Sequence, residues 1–236
     1  MEELRLTKRE RREIKRKEKA EQLAKENKKN SLVRWGTVAA IIVIAGGLIV
    51  WFEFRPESSA VTAESADPSH GPDNAPVLVE EFSEFQCPAC AGVAPVVKDI
   101  IERYGDAIRF EYNDFPLPQH EHASNAAVGA QCAFKQGAFW EYHDLLFENQ
   151  ATWSPMSVDD ALDTFTAYAQ DLGLDMAAFD SCVTGDEAAD LVNEDIREAR
   201  DLSVNATPTF FVNGTKVEGA PVSVELPKAI DAALNQ

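Results

Sequence analysis

From Trp35 to Phe52 the chain runs 18 residues without a charge, reading WGTVAAIIVIAGGLIVWF. At 1.5 Å rise per residue this covers roughly 27 Å, close to the hydrocarbon thickness of a bilayer. Trp35 and Trp51 stand near its ends, where amphipathic rings favour the membrane interface, and Arg34 and Glu53 close it. The pattern predicts one transmembrane helix over 35–54. A cleaved signal peptide is the alternative. It fits less well, because the apolar run exceeds the usual ~7–15 residues and the small-residue stretch Val61-Thr62-Ala63 lies about ten residues beyond it.

After residue 75 the periodicity changes. Val77–Phe82 reads as a short apolar strand, Cys87–Tyr104 as a helix with Val93, Val96, Val97, Ile100 and Ile101 on one side, and Ile108–Asn113 as a second, alternating strand. Together they predict a β-α-β unit. Helical patterns follow over Glu121–Gln136, Ala138–Asn149, Val158–Leu172, Met176–Thr184 and Asp186–Leu202, separated by Gly137, Pro155, Gly173 and Gly185. Thr209–Val212 is a strand, Asn213-Gly214 a hairpin turn, Thr215–Gly219 the return strand and Val222–Leu234 a last helix. The order is β-α-β, then helices, then β-β-α, an α/β class.

Charge divides the chain at the apolar run. Residues 1–34 carry 13 Lys/Arg against 7 Asp/Glu; the rest carry 9 against 33, a balance of −24. By the positive-inside rule the basic segment 1–34 stays cytoplasmic and the acidic part is exported. Segment 1–34 has no sustained apolar stripe, so it reads as a solvated arm that orients the anchor. Residues 55–75, rich in Ser, Ala, Pro and Asp, read as a flexible tether with a reach of roughly 25 Å. The folded domain is expected over 76–236. Overall acidity argues against nucleic-acid binding.

The chemistry sits in Cys87-Pro88-Ala89-Cys90. A cysteine at a helix N-terminus meets unpaired N–H groups and a partial positive charge, which favour its thiolate. Pro88 suits the first helical turn. Cys90, a turn deeper, is the natural resolving thiol. Half of a zinc site and a static disulfide are the alternatives. For zinc there is no second CxxC, and His70, His120, His122 and His143 offer no common ligand spacing; no metal or other cofactor is expected.

The stretches Glu81-Phe82-Ser83-Glu84-Phe85-Gln86-Cys87-Pro88-Ala89-Cys90, Gln136–Phe147 (QGAFWEYHDLLF) and Thr207–Gly214 (TPTFFVNG) together resemble the DsbA-like thiol:disulfide oxidoreductases of the thioredoxin superfamily, over residues 76–236. The resemblance implies a thioredoxin-like fold with an all-helical domain inserted at about 117–202, here preceded by the transmembrane helix. It implies Cys87 as attacking thiol, Cys90 as resolving thiol and Pro208 as a cis-proline preceded by Thr207. That loop would pack on the cysteines and, with Thr207, Pro208, Phe85 and Pro88, receive an extended substrate peptide. Glu81 takes the place of a buried acid that relays a proton to Cys90, although Glu80 beside it leaves strand parity open. Glu84 reads as surface charge near the mouth. The remaining cysteines, Cys132 and Cys182, are expected to form a structural disulfide, as in some members, contributing about 3–4 kcal/mol in the chain-entropy model. Ala89 stands where strongly oxidising members often carry His, which predicts a milder oxidant.

The aromatic positions Phe139, Trp140, Tyr142 and Phe147 read as core, and His143 as a hydrogen-bonded structural residue. The expected function is an enzyme: a signal-anchored, single-pass, extracytoplasmic oxidoreductase that forms disulfides in reduced exported proteins. A membrane-embedded quinone-linked reoxidase and the lipid bilayer around 35–54 are its partners. A reductase or isomerase on the same scaffold, or a non-catalytic peptide-binding module, are the alternatives. The enzyme readings require the Cys87 sulfur to be reachable and to face Pro208; the binding module would retain function without that sulfur.

Overall fold

Two hydrogen-bond ladders on either side of one central strand set the architecture of this computed structural model, which describes residues 67–219 and 221–236. In chain order the elements are β1 (Ser69–His70), β2 (Val77–Ser83), α1 (Pro88–Tyr104), a 3-10 turn (Gly105–Ala107), β3 (Ile108–Asp114), α2 (Ala123–Phe134) and α3 (Phe139–Glu148). There follow α4 (Gln150–Trp153), α5 (Val158–Asp171), α6 (Met176–Val183), α7 (Glu187–Asp201), β4 (Thr209–Val212), β5 (Thr215–Lys216) and α8 (Val222–Leu234). The sheet order is β1-β3-β2-β4-β5, with β2 parallel to β3 and the other pairs antiparallel.

The parallel register puts Val77, Val79, Glu81 and Ser83 opposite Ile108, Phe110, Tyr112 and Asp114, so these eight side chains share one face. Its apolar part packs under Val97 and Ile100 of α1 and Leu226 and Ile230 of α8. On the other face Phe82 and Phe211 meet Ala199 of α7 and Val204. A second core gathers Cys87, Cys90, Phe85 and Tyr112 with Tyr142, Trp153 and Phe179 of the helical segment. The helices start where the sequence offers caps: Ser157 accepts the Asp160 N–H, and Asp175 accepts those of Ala177 and Ala178. Asn213 and Gly214 take left-handed φ of 47° and 71°, as their hairpin turn requires. The Asn213 Oδ1 accepts the Leu78 N–H at 2.8 Å, tying that turn to β2. Cys132 of α2 and Cys182 of α6 are joined by a disulfide.

One boundary is corrected. The expected tether, 55–75, does not run to residue 75, because Ser69–His70 pair with Phe110–Glu111 as the edge strand β1. Arg109 explains the anchorage: it donates to Glu111 at 2.6 Å and Ser69 Oγ at 2.9 Å, and pairs with Asp73. His70 stacks on Trp140 with ring centroids 4.2 Å apart. The basic segment 1–34, the span expected at 35–54 and the tether up to residue 66 lie outside the described residues. Among the described residues no helix is long and apolar enough to cross a membrane.

Candidate active site

Cys87 is the N-cap of α1, with extended backbone (φ −74°, ψ 120°), and Pro88 follows as the first helical residue. The loop leading to it is pinned from the helical segment. Gln150 Nε2 donates to the carbonyls of Phe85 at 2.7 Å and Cys87 at 2.9 Å, bracketing the turn. Gln86 Oε1 accepts the His122 N–H at 2.7 Å, and its Nε2 donates to Ser154 Oγ at 3.2 Å. Across from the sulfur stands the Thr207–Pro208 peptide, which is cis. The Cys87 sulfur lies 3.5 Å from the Thr207 carbonyl oxygen. Cys87 and Cys90 are both free, so this is the dithiol form.

The electrostatics separate the two sulfurs. The Cys87 thiol is pulled from an ordinary 9 down to about 5, first by the Cys90 S–H donating to it; burial opposes, and Thr207 with the N–H groups of Cys90 and Ala89 add to the pull. Cys90 is pushed up, first by that same bond to Cys87, then by burial and the charge of Glu81; only Ser83 and the Glu84 backbone pull it back. One sulfur is thus a thiolate at neutral pH while its neighbour holds its proton. Glu81 is 3% exposed, and burial raises its carboxyl to about 7. Strand parity has selected Glu81 for the face under α1 and left Glu80 half-buried.

Among the described residues no group of three or more His, Cys, Asp or Glu side chains is arranged to hold a metal ion. A nucleophilic thiolate, a protonated second thiol, a buried acid and an adjacent peptide bond with its carbonyl turned to the sulfur make a site for thiol-disulfide exchange.

The thioredoxin family model matches residues 63–232. The chain belongs to the thioredoxin family. Its fold is shared with solved structures: oxidised BdbD from Bacillus subtilis superposes with a TM-score of 0.64 at 23% identity, over 72% of this chain and 94% of that one. Wolbachia pipientis alpha-DsbA1 gives 0.63 at 24% identity, over 72% and 91%. Among curated relatives the Na(+)/H(+) antiporter NhaA 3 of Salinispora tropica is 36% identical over 169 residues, which are 71% of this chain and 24% of that protein. The chain therefore spans about a quarter of the curated relatives it matches.

Within this thioredoxin-family site the structure brings Cys87, Cys90, Glu81, Thr207 and Pro208 together. Pro88 is exposed and Pro208 half-exposed, at the rim above the sulfur. Phe85 is a correction: it is fully buried, stacked on Tyr112 at 5.4 Å, and has no surface to offer a docked peptide. Glu84 is another. It is 1% exposed, accepts the Gln86 N–H at 2.7 Å and pairs with His120, so it is a buried partner of the loop and not surface charge. The opening is also narrower than expected, since Cys87 exposes only 6% of its surface.

Gln150, Asp114 and Asp195 are further buried or loop-pinning residues that no sequence motif marks. Asp195 had a signal: Ala188, Val192, Asp195 and Ala199 are spaced as the buried stripe of α7, with an acid in an apolar slot. Asp114 had one too, continuing the Ile108, Phe110, Tyr112 alternation one step past the expected strand end.

Proposed function

We propose that this protein is a thiol-disulfide oxidoreductase that forms disulfides in reduced exported proteins. The observation that carries the reading is the low-pKa sulfur of Cys87 at the tip of α1, set against the cis Thr207–Pro208 peptide. In the oxidised enzyme a substrate thiolate attacks Cys87 Sγ; the Cys87–Cys90 bond breaks and Cys90 leaves with the electron pair. A second substrate thiolate then attacks the substrate sulfur of the mixed disulfide and releases Cys87 as thiolate, its most stable form here. The stable leaving group favours transfer of the disulfide to substrate. Thr207, Pro208 and Pro88 line the rim where an extended peptide would pair with the loop backbone, so recognition is broad in sequence.

The placement belongs to the same proposal. The uncharged run 35–52 is a single-pass anchor, residues 1–34 are cytoplasmic, and the catalytic domain is extracytoplasmic, within reach of a membrane-embedded quinone-linked reoxidase. The test uses oxidised protein and a reduced dithiol peptide. Stoichiometric peptide oxidation, abolished in Cys87→Ser, is expected; peptide oxidation at the same rate in C87S rejects the reading. Net direction is read separately: a Cys87–Cys90 pair found reduced in cells makes it a reductase or isomerase.

A second reading draws on the relatives named as Na(+)/H(+) antiporters, of which this chain matches about a quarter. In it the domain serves a membrane transport complex by binding and not by chemistry. Full retention of cellular function by Cys87→Ala would favour it.

A further inference from the structure

The loop that delivers Cys87 carries a carboxylate of its own. Glu84 stands three residues before Cys87, and its carbonyl accepts the Cys87 N–H at 3.3 Å, closing the turn. Its side chain folds back over that turn: Oε2 accepts the N–H of Gln86, the residue next to Cys87, at 2.7 Å. Glu84 is buried, so water does little to screen a charge there. The sulfur beside it must itself become an anion, and like charges at close range oppose each other. Burial pushes the Glu84 carboxyl up, His120 and the Gln86 N–H pull it back, and the charge on Cys87 adds to the rise. Coupling of that kind is reciprocal, so a charge on Glu84 holds Cys87 back by the same amount.

An imidazole from another loop meets this carboxylate. His120 lies between β3 and α2, and its Nδ1 bonds Glu84 Oε1 directly. Among the described residues it is the one ion-pair partner of Glu84. His122 reaches the same loop but is engaged otherwise: its N–H donates to Gln86 and its ring bonds the Met156 carbonyl. The His120 side chain is 24% exposed, so its proton exchanges with solvent. A protonated imidazole on a buried carboxylate brings the pair to zero net charge. Pro88 and Ala89, between the cysteines, carry no charge, so the balance around Cys87 is set from this second loop.

We propose that His120 acts on Cys87 through Glu84: its cation cancels the carboxylate built into the cysteine loop, and so preserves the Cys87 thiolate and the oxidising strength of the Cys87–Cys90 disulfide. The inference rests on the exchange activity proposed above and deepens it. His120 and Glu84 are positioning residues, and no covalent bond forms or breaks in the pair.

The test titrates the Cys87 thiolate of the full chain, in its dithiol form, by ultraviolet absorbance between about pH 3 and pH 8, below the range in which Cys90 ionises. The equilibrium with glutathione at pH 7 is measured beside it. Glu84→Gln keeps an acceptor for the Gln86 N–H and removes the negative charge. It is expected to move the Cys87 titration down by about one pH unit and to make the disulfide about tenfold more oxidising. His120→Gln keeps a donor for Glu84 and removes the positive charge. It is expected to move both readings the other way by about as much. His120→Lys, which returns a cation, and E84Q/H120Q, which removes both charges, are expected to titrate close to the parent. A merely structural role would shift Cys87 in the same direction whichever partner was lost. Where E84Q does not fold, H120Q against H120K makes the same comparison at a partly exposed position. Shifts of the same sign in E84Q and H120Q, an H120K titration that follows H120Q, or a Cys87 titration unmoved throughout overturn the inference. The titration needs no substrate. Absence of peptide oxidation in the parent protein, or of the step in which Cys90 closes the disulfide onto Cys87, overturns the exchange activity itself, a distinct result.

Discussion

At position 87 a single sulfur is worked on from three directions: the Cys90 thiol, the Thr207 loop and the N–H groups at the start of α1. The Cys90 contribution is the largest, so its removal is the sharpest probe. Cys90→Ala is expected to raise the Cys87 pKa from about 5 toward 9, with Cys90→Ser between, because a hydroxyl can still donate. Ultraviolet absorbance of the thiolate across a pH titration reads this directly; a C90A titration that overlies the parent's refutes it. The same stabilisation arises without a His between the cysteines, so Ala89 alone does not make the thiolate weak. Glu81 pulls the other way on stability. Its folded pKa, about 7, lies above its ordinary 4.5, so its contribution is fully present below pH 4.5 and is lost as pH rises through 7. Glu81→Gln does not titrate. Relative to the parent it is expected to gain on the order of 3 kcal/mol between those limits, since a tenfold change in a proton-binding constant is worth about 1.4 kcal/mol. Urea melts at the two ends of the window measure the gain, and a pH-independent difference contradicts it. The buried acid is thus kept at a cost to stability, as expected of a group retained for proton transfer.

The disulfide between α2 and α6 closes a loop of 50 residues, and it ties together helices whose packing also positions the turn before Cys87. Replacing Cys132 and Cys182 together by Ser is expected to lower unfolding free energy by about 3–4 kcal/mol in denaturant melts. The site stays assembled because His122 and Gln150 hold the loop through their own hydrogen bonds; exchange activity measured well below the melting temperature is expected to persist. Loss of activity in a folded double variant would show that the bridge shapes the site. These same elements explain what the sequence could and could not convey. Strands, helices and caps are local: the alternation at Val77–Ser83, Ser157 before α5 and Asn213-Gly214 in the hairpin are each written in a few adjacent residues. The cysteine motif and Thr207-Pro208 are local as well, which is why the centre of the site was legible. Contacts made by unlike elements were not. Gln150 sits on α4, a four-residue helix that extends the apolar pattern of α3 without a break in sequence. Glu84 has the chemistry of a surface residue, and its pairing with His120, 36 positions away, together with the Gln86 N–H accounts for its burial. β1 is two residues long in a polar, Pro-rich stretch, and it exists because Arg109 and Trp140 reach out to it.

Across the whole molecule the acidity that separates the two ends of the chain bears on its substrates. Residues after position 34 carry a balance of −24, so the part of the chain that holds the site is strongly acidic. A field of one sign over a protein surface changes encounter rates more than it changes the chemistry that follows. Cys87 is nearly covered, so approach along the rim is the step on which such a field acts. Two reduced dithiol peptides of equal length, one flanked by Lys and one by Glu, are therefore expected to be oxidised at different second-order rates, the cationic one faster by about tenfold at low ionic strength. Because the effect is long-ranged, it is expected to fade as salt shortens the screening length from about 30 Å at 0.01 M to about 3 Å at 1 M, until the two rates converge. The intramolecular closing phase between Cys90 and Cys87 involves no approach and is expected to keep the same ratio of rates at every salt concentration. A preference for the cationic peptide that survives 1 M salt would place the discrimination in direct contacts at the Thr207–Pro208 rim and not in the field of the domain.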